Sequence, residues 1–166
     1  MFLRIEKLPE KLMVGKSVRM SLIENKTAEV WLYFMRNRSR LNNTVGSDLY
    51  SIQVYDQLNY FEHFNPHTKF LKWAAIEVES IGNIPDDFKA FTLDPGLYAV
   101  FLHKGLASEF QKTVQYIFGQ WLPQSSYELD DRPHFELLGG KYKNNDPNSE
   151  EEVWIPIRDL NRTAKI

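Results

Sequence analysis

Apolar positions along the chain fall into two successive runs of the same order. After a short opening strand, LPEKLMVGKSVRMSL (8–22) reads as one or two extended pieces around a turn at Gly15. Residues 26–41 carry Val30, Trp31, Phe34, Met35 and Leu41 at the spacing of one helix face, and Asn42, Asn43 and Gly46 end that helix. LYSIQVYD (49–56) alternates apolar and polar residues like a strand, and FLKWAAIEVES (70–80) reads as a second. SIGNIPDD (80–87) breaks the pattern with Gly, Pro and two acids. The order then restarts. FKAFTL leads into LDPGLYAVFLHKG (93–105), and the next helix has Leu106, Phe110, Val114, Ile117 and Trp121 on its apolar face. Pro123 is expected to end it, because proline cannot donate to the helical ladder. RPHFELLGGK (132–141) and EEVWIPIRD (151–159) are expected strands, separated by the polar loop YKNNDPNSEE.

Both halves spell strand–helix–strand–strand, each with a Trp on its helix (Trp31, Trp121) and one in its last strand (Trp73, Trp154). A repeat of pattern without identity predicts an α+β fold built from two βαββ units. These cover about 1–80 and 88–160, with residues 81–87 as linker, in one domain over the 166 residues. One helix per half would pack beside antiparallel sheets that meet.

Composition narrows the chemistry. The chain has no cysteine, which excludes disulfides, thiolate catalysis and zinc–thiolate sites. A net charge of -2 gives no electrostatic case for nucleic-acid binding. Arg36, Arg38 and Arg40 cluster near a helix end, where cations complement the dipole, and read as a solvated helix end. No apolar run approaches the roughly 18 residues that span a bilayer, and MFLRIEKLPEKL lacks a signal-peptide core, so a cytoplasmic location is expected. Aromatic residues make up 14% of the chain, enough for either a core or a pocket for flat or cationic ligands.

Strand alternation puts His134, Glu136 and Leu138 on one face of their strand and Phe135 and Leu137 on the other. Glu136 is then a carboxylate in an apolar strand. It lies either on an open sheet face or inward, where burial would raise its pKa and make it a counter-ion for a lipophilic cation. In the strand 97–103, Tyr98, Val100 and Leu102 face one way, and Leu97, Ala99, Phe101 and His103 the other. A buried Tyr98 hydroxyl would need a partner, and a neighbouring carboxylate could supply it. His63 and His67 are four apart but straddle Pro66, with no third ligand at a suggestive spacing, so no metal site is expected. NNDPNSEEE lacks the order of a calcium loop and reads as solvated. No nucleophile-elbow or phosphate-loop motif is present, and no cofactor is expected. His103 receives no role.

Three separated pieces between residues 93 and 157 carry a family resemblance: YAVFLHKG, the helix ending in QWLPQSSYELDDRPHFELL, and EEVWIPI. Together they resemble the GyrI-like family, also called the AraC-type effector-binding domain. The resemblance implies a duplicated βαββ (SHS2-like) architecture with a pseudo-twofold axis. It implies binding of amphipathic, often cationic compounds in a cleft between the halves, lined by aromatics with a glutamate at its base. The motif glutamate falls on Glu136 and the motif tyrosine on Tyr98. Trp121, Trp154, Trp31 and Phe101 are the aromatic candidates, and Glu152 is the alternative carboxylate.

Regulators of this type carry a DNA reader ahead of the effector domain. Here the first strand begins within the first few residues, so a stand-alone, non-DNA-binding member is expected. The resemblance also implies two alternatives. One is hydrolysis of cyclopropane-containing toxins through Glu136 and Tyr98. The other is interaction with a protein such as DNA gyrase. Monomer and homodimer both remain open.

Overall fold

A computed structural model of the chain describes residues 1–56 and 62–160. Nine strands form one antiparallel sheet. The first half contributes β1 (Phe2–Leu8), β2 (Lys11–Met20), α1 (Thr27–Asn37), β3 (Thr44–Val54) and β4 (Phe70–Val78). The second contributes β5 (Lys89–Leu93), β6 (Gly96–Lys104), α2 (Phe110–Tyr116), β7 (Tyr127–Leu129), β8 (His134–Leu138) and β9 (Glu150–Asp159).

The strand order β1-β6-β9-β8-β3-β4-β2-β5 has a physical cause in two prolines. β1 and β2 are one extended run interrupted at Pro9, and β5 and β6 are another interrupted at Pro95. Proline has no N–H to give a ladder, so pairing breaks there and resumes beyond. Leu8 lies opposite Gly96 on one side of the break, and Lys11 opposite Leu93 on the other. Each run therefore crosses from one half to the other, and the chain joins the two ends of the sheet path. Eight of the nine strands pair in a way that exchanging the halves would preserve, while β7–β9 has no counterpart in the first half. β1–β6 answers β5–β2, β2–β4 answers β6–β9, β3–β4 answers β8–β9, and β3–β8 answers itself.

Two details differ from the sequence reading. Gly15 is no turn: β2 runs straight through it, opposite Ala75. A Cβ there would sit 2.2 Å from the Ala74 carbonyl oxygen, so glycine permits close approach of two backbones. Nor does Pro123 end its helix. After α2 the backbone widens into a π-helical turn at Ile117–Trp121, and Pro123 lies in the final turn Leu122–Gln124. A wide turn ahead of proline removes the demand for the N–H that it lacks.

Residues directly opposite on paired strands share a face, which sorts the core into layers. Val14, Ala74 and Ile76 pack under Val30 and Phe34 of α1. Ala99, Phe101, Val153 and Ile155 pack under Phe110, Tyr116 and Trp121 of the second helical segment. The register Ser51–Glu136–Val153 places both sets on the same side. Both helices thus cover one face. Tyr50, Ile52, Trp73, Tyr98, Val100, Phe135 and Trp154 form the core of the other. The β3–β8 seam, where the halves meet, runs between the two helices on the first face.

Candidate functional site

That seam carries polar side chains where neighbouring strands present apolar ones. Gln53 of β3 lies opposite Lys72 of β4 on one side and His134 of β8 on the other. One row along, Ser51 faces Glu136. Ser51, Gln53, Lys72, His103 and His134 are all buried. Glu136 keeps some exposed surface, and Gln53 Nε2 donates to its Oε1 at 3.1 Å. Glu151 of β9, opposite His103 of β6, completes the cluster. Tyr55 and Phe118 frame it, with ring centroids 4.9 and 6.3 Å from that of His134.

Desolvation dominates the electrostatics here. Burial pushes Glu136 above the usual carboxylate range, against the pull of Lys72, the Gln53 hydrogen bond and His103. Burial, reinforced by repulsion from Glu136, raises Glu151 to about 7. Lys72 is lowered by burial despite both carboxylates. His134 falls to about 3, through burial and then the charge of Arg132, so it is neutral at physiological pH. Among the described residues the seam therefore holds two carboxyl groups against one lysine amine.

Tyr98 lies elsewhere. It belongs to the opposite face, is fully buried, and donates from Oη to the Pro133 carbonyl at 2.8 Å. The expected neighbourhood of Tyr98 and Glu136 is not formed, because the two residues sit at positions of opposite parity across paired strands. The surroundings of Tyr98 explain part of the D-R-P motif. Arg132 stacks 4.7 Å over the tyrosine ring, bonds Asp130, and donates to the Leu97 and Ile157 carbonyls. It thereby locks the approach to β8 onto β6 and β9.

The aromatic candidates also disperse. Trp154 is buried beside Tyr98 and Phe135, and its Nε1 donates to Glu152 at 3.0 Å. Phe101 is buried beneath the second helical segment, with Trp121 edge-on against it and stacked on Phe2. Trp31 is half-buried on α1 against Phe34. None of these four shares the seam with Glu136.

The face of Tyr98 and Trp154 opens into a cleft of about 870 Å³, bordered by Arg4, Glu6, Tyr50, Phe135, Glu152 and Trp154. Glu151 borders it as well, while the Arg4 and Glu152 charges there are satisfied internally. Arg4 bonds both Glu152 oxygens at 3.0 and 3.1 Å, reaches Glu6, and covers the Trp154 ring at 5.5 Å.

His103 now has a structural task. Its Nε2–H donates to the Leu106 carbonyl, and Nδ1 meets the Thr113 hydroxyl at 2.8 Å, tying β6 to α2. Arg40 is more than a solvated helix end. It forms a two-pronged pair with Asp87, which also accepts from the Tyr33 hydroxyl, fastening α1 to the linker. His63 and His67 lie in an exposed loop, and among the described residues no three His, Cys, Asp or Glu converge as metal ligands. No helix among them is long and apolar enough to cross a membrane.

Lys72, Gln53 and Glu151 were not singled out from sequence. A signal existed for Lys72: in FLKWAAIEV it shares parity with Phe70, Ala74, Ile76 and Val78, all buried.

Residues 1–158 match the family described as the GyrI-like small molecule binding domain. The transcriptional regulator BrlR of Pseudomonas aeruginosa is 30% identical over 93 residues, 55% of this chain and 34% of that protein. The chain thus spans about a third of the length of that curated relative. The structure of SAV2435 bound to tetraphenylphosphonium superposes with a TM-score of 0.70 at 15% identity, over 98% of this chain and 96% of that one. The EcmrR C-terminal domain does so with a TM-score of 0.72 at 12% identity, over 96% and 99%. At such identities the likeness to these two structures is one of fold.

Proposed function

Since this chain belongs to the GyrI-like small-molecule-binding family, we propose that its ligands are lipophilic cations, held at the β3–β8 seam with Glu136 as counter-ion. The carrying observation is the charge balance at the seam. Glu136 and Glu151 face a single ammonium, Lys72, in surroundings where desolvation raises both acids. An uncompensated negative charge in a poorly solvated site is costly, and a soft organic cation relieves it without itself losing strong hydration. Tyr55 and Phe118 supply ring surface against His134, two residues along β8 from Glu136 on the same face, and ring faces attract cations. That SAV2435 is bound to a cation of this class supports the reading. We further propose a cytoplasmic protein that sequesters or senses such compounds without contacting DNA directly; a protein partner such as gyrase would be a separate property.

Titration with tetraphenylphosphonium, followed by quenching of tryptophan emission, tests the proposal. Binding is expected, together with a loss of tenfold or more in Glu136→Gln. Glu152→Gln should leave it unchanged. Parent-like affinity in Glu136→Gln would refute the counter-ion role. Loss in Glu152→Gln instead would move the ligand to the opposite cleft.

A second reading, hydrolysis of strained three-membered rings, is favoured by the raised pKa of Glu136, which suits a general acid/base. Tyr98 does not assist it, since its hydroxyl is committed to Pro133 on the other face. Incubation with a cyclopropyl compound and mass spectrometry for a water adduct decides the matter.

A further inference from the structure

The two seam carboxylates are not equivalent. Glu136 accepts a hydrogen bond from Gln53, one row from Lys72, and that bond favours its ionised form. Glu151 has no side-chain hydrogen bond or ion pair among the described residues. It faces Glu136 from β8, Lys72 from β4 and His103 from β6, with Tyr142 nearby in the loop before β9. Both His103 ring nitrogens are engaged by Leu106 and Thr113, while Glu109 and Lys112 on the following helical segment are exposed. Among the described residues, Lys72 is therefore the one cation whose charge acts on Glu151. A lone ammonium balances one carboxylate; the second must carry a proton or meet a further cation.

We infer that Glu151 holds a proton in the empty site and surrenders it when a lipophilic cation binds, so that ligand exchanges for proton at the seam. The O–H bond of the Glu151 carboxyl breaks, the proton passes to solvent, and the bound cation takes over its charge. Empty and filled sites then have the same net charge. Glu151 becomes a specificity residue: it favours permanent cations over neutral molecules of equal size, and more strongly as pH rises.

This inference rests on the proposed binding at the seam, and the experiment separates the two. Tetraphenylphosphonium is titrated calorimetrically into the full chain between pH 5.5 and 8, in pairs of buffers that differ in ionisation enthalpy. With Glu151 near 7, affinity should rise about 30-fold across that range and level off above it, because binding draws on the ionised form. At pH 6 the buffer dependence should report close to one proton released per cation bound. Glu151→Gln should bind with an affinity flat in pH and release no proton. Lys72→Met, which strips both carboxylates of their internal partner, should move the rise to higher pH and keeps the test intact if Glu151→Gln misfolds. Binding with neither pH dependence nor proton release in the parent overturns the exchange and leaves the binding reading standing. Proton release that survives in folded Glu151→Gln overturns the assignment to Glu151. Absence of binding at every pH removes the binding reading, and the exchange with it.

Discussion

Replacing Lys72 by Met removes the ammonium that competes with a bound cation, and the size of the gain follows from where Lys72 sits. It lies across Gln53 from His134, one row from Glu136, is 6% exposed, and forms no direct ion pair with either carboxylate among the described residues. Two strand spacings separate β4 from β8, so a ligand cation in contact with Glu136 would be roughly 8 to 10 Å from the ammonium. At an effective dielectric constant of about 20, two like charges at that separation repel by about 2 kcal/mol. Met has nearly the shape of the lysine stem, so packing is preserved. At pH 7.5, Lys72→Met should bind tetraphenylphosphonium about 10- to 100-fold more tightly than the parent, as read by tryptophan quenching. The gain should shrink at pH 6, where the two carboxylates lose their internal partner and hold protons more firmly. A neutral analogue of similar size should gain little at either pH. Equal affinity of parent and variant for the cation at pH 7.5 would refute the reasoning, since the ligand would then lie beyond the electrostatic reach of a charged Lys72.

Two further substitutions probe the frame around the site. Tyr98→Phe leaves the Pro133 carbonyl without its donor and should cost about 1 to 2 kcal/mol in urea unfolding, with tetraphenylphosphonium affinity held within about twofold; a large loss of affinity in the folded variant would place the ligand on the cleft face. Gly15→Ala forces a methyl against the Ala74 carbonyl oxygen and should destabilise by about 1 to 3 kcal/mol or more. An unchanged unfolding midpoint would show that the two strands part without cost.

Much of the architecture was legible because it depends on local period. Val30 and Phe34 recur at helical spacing and are buried under α1 as that spacing requires. The alternating run LYSIQVYD and the expected strand EEVWIPIRD are β3 and β9. The errors share a cause as well. Gly15 and Pro123 were read by the conformations they usually mark, but at each the deciding neighbour is distant or the backbone adapts: Ala74 on another strand, and a π turn just upstream. Arg40 was read from its helix, while its partner Asp87 lies 47 residues away.

For the site, parity within a strand is local, and it correctly separated Glu136 from Phe135. Parity cannot relate two strands until their pairing is known. Tyr98 and Glu136 belong to different strands, so whether they share a cleft depends on strand register. The register of β6 with β9 and of β9 with β8 puts Tyr98 in the layer of Trp154 and Glu136 under the helices. The same pairing gathers Gln53, Lys72 and Glu151 around Glu136 from three strands. Residue order alone thus carried the α+β class, the order of the elements and the unusual carboxylate at 136. Its company, two acids and one base with little water, exists only once long-range strand pairing has brought β3, β4, β8 and β9 side by side. Burial and mutual charge, unlike helical or strand period, are properties of that assembled neighbourhood.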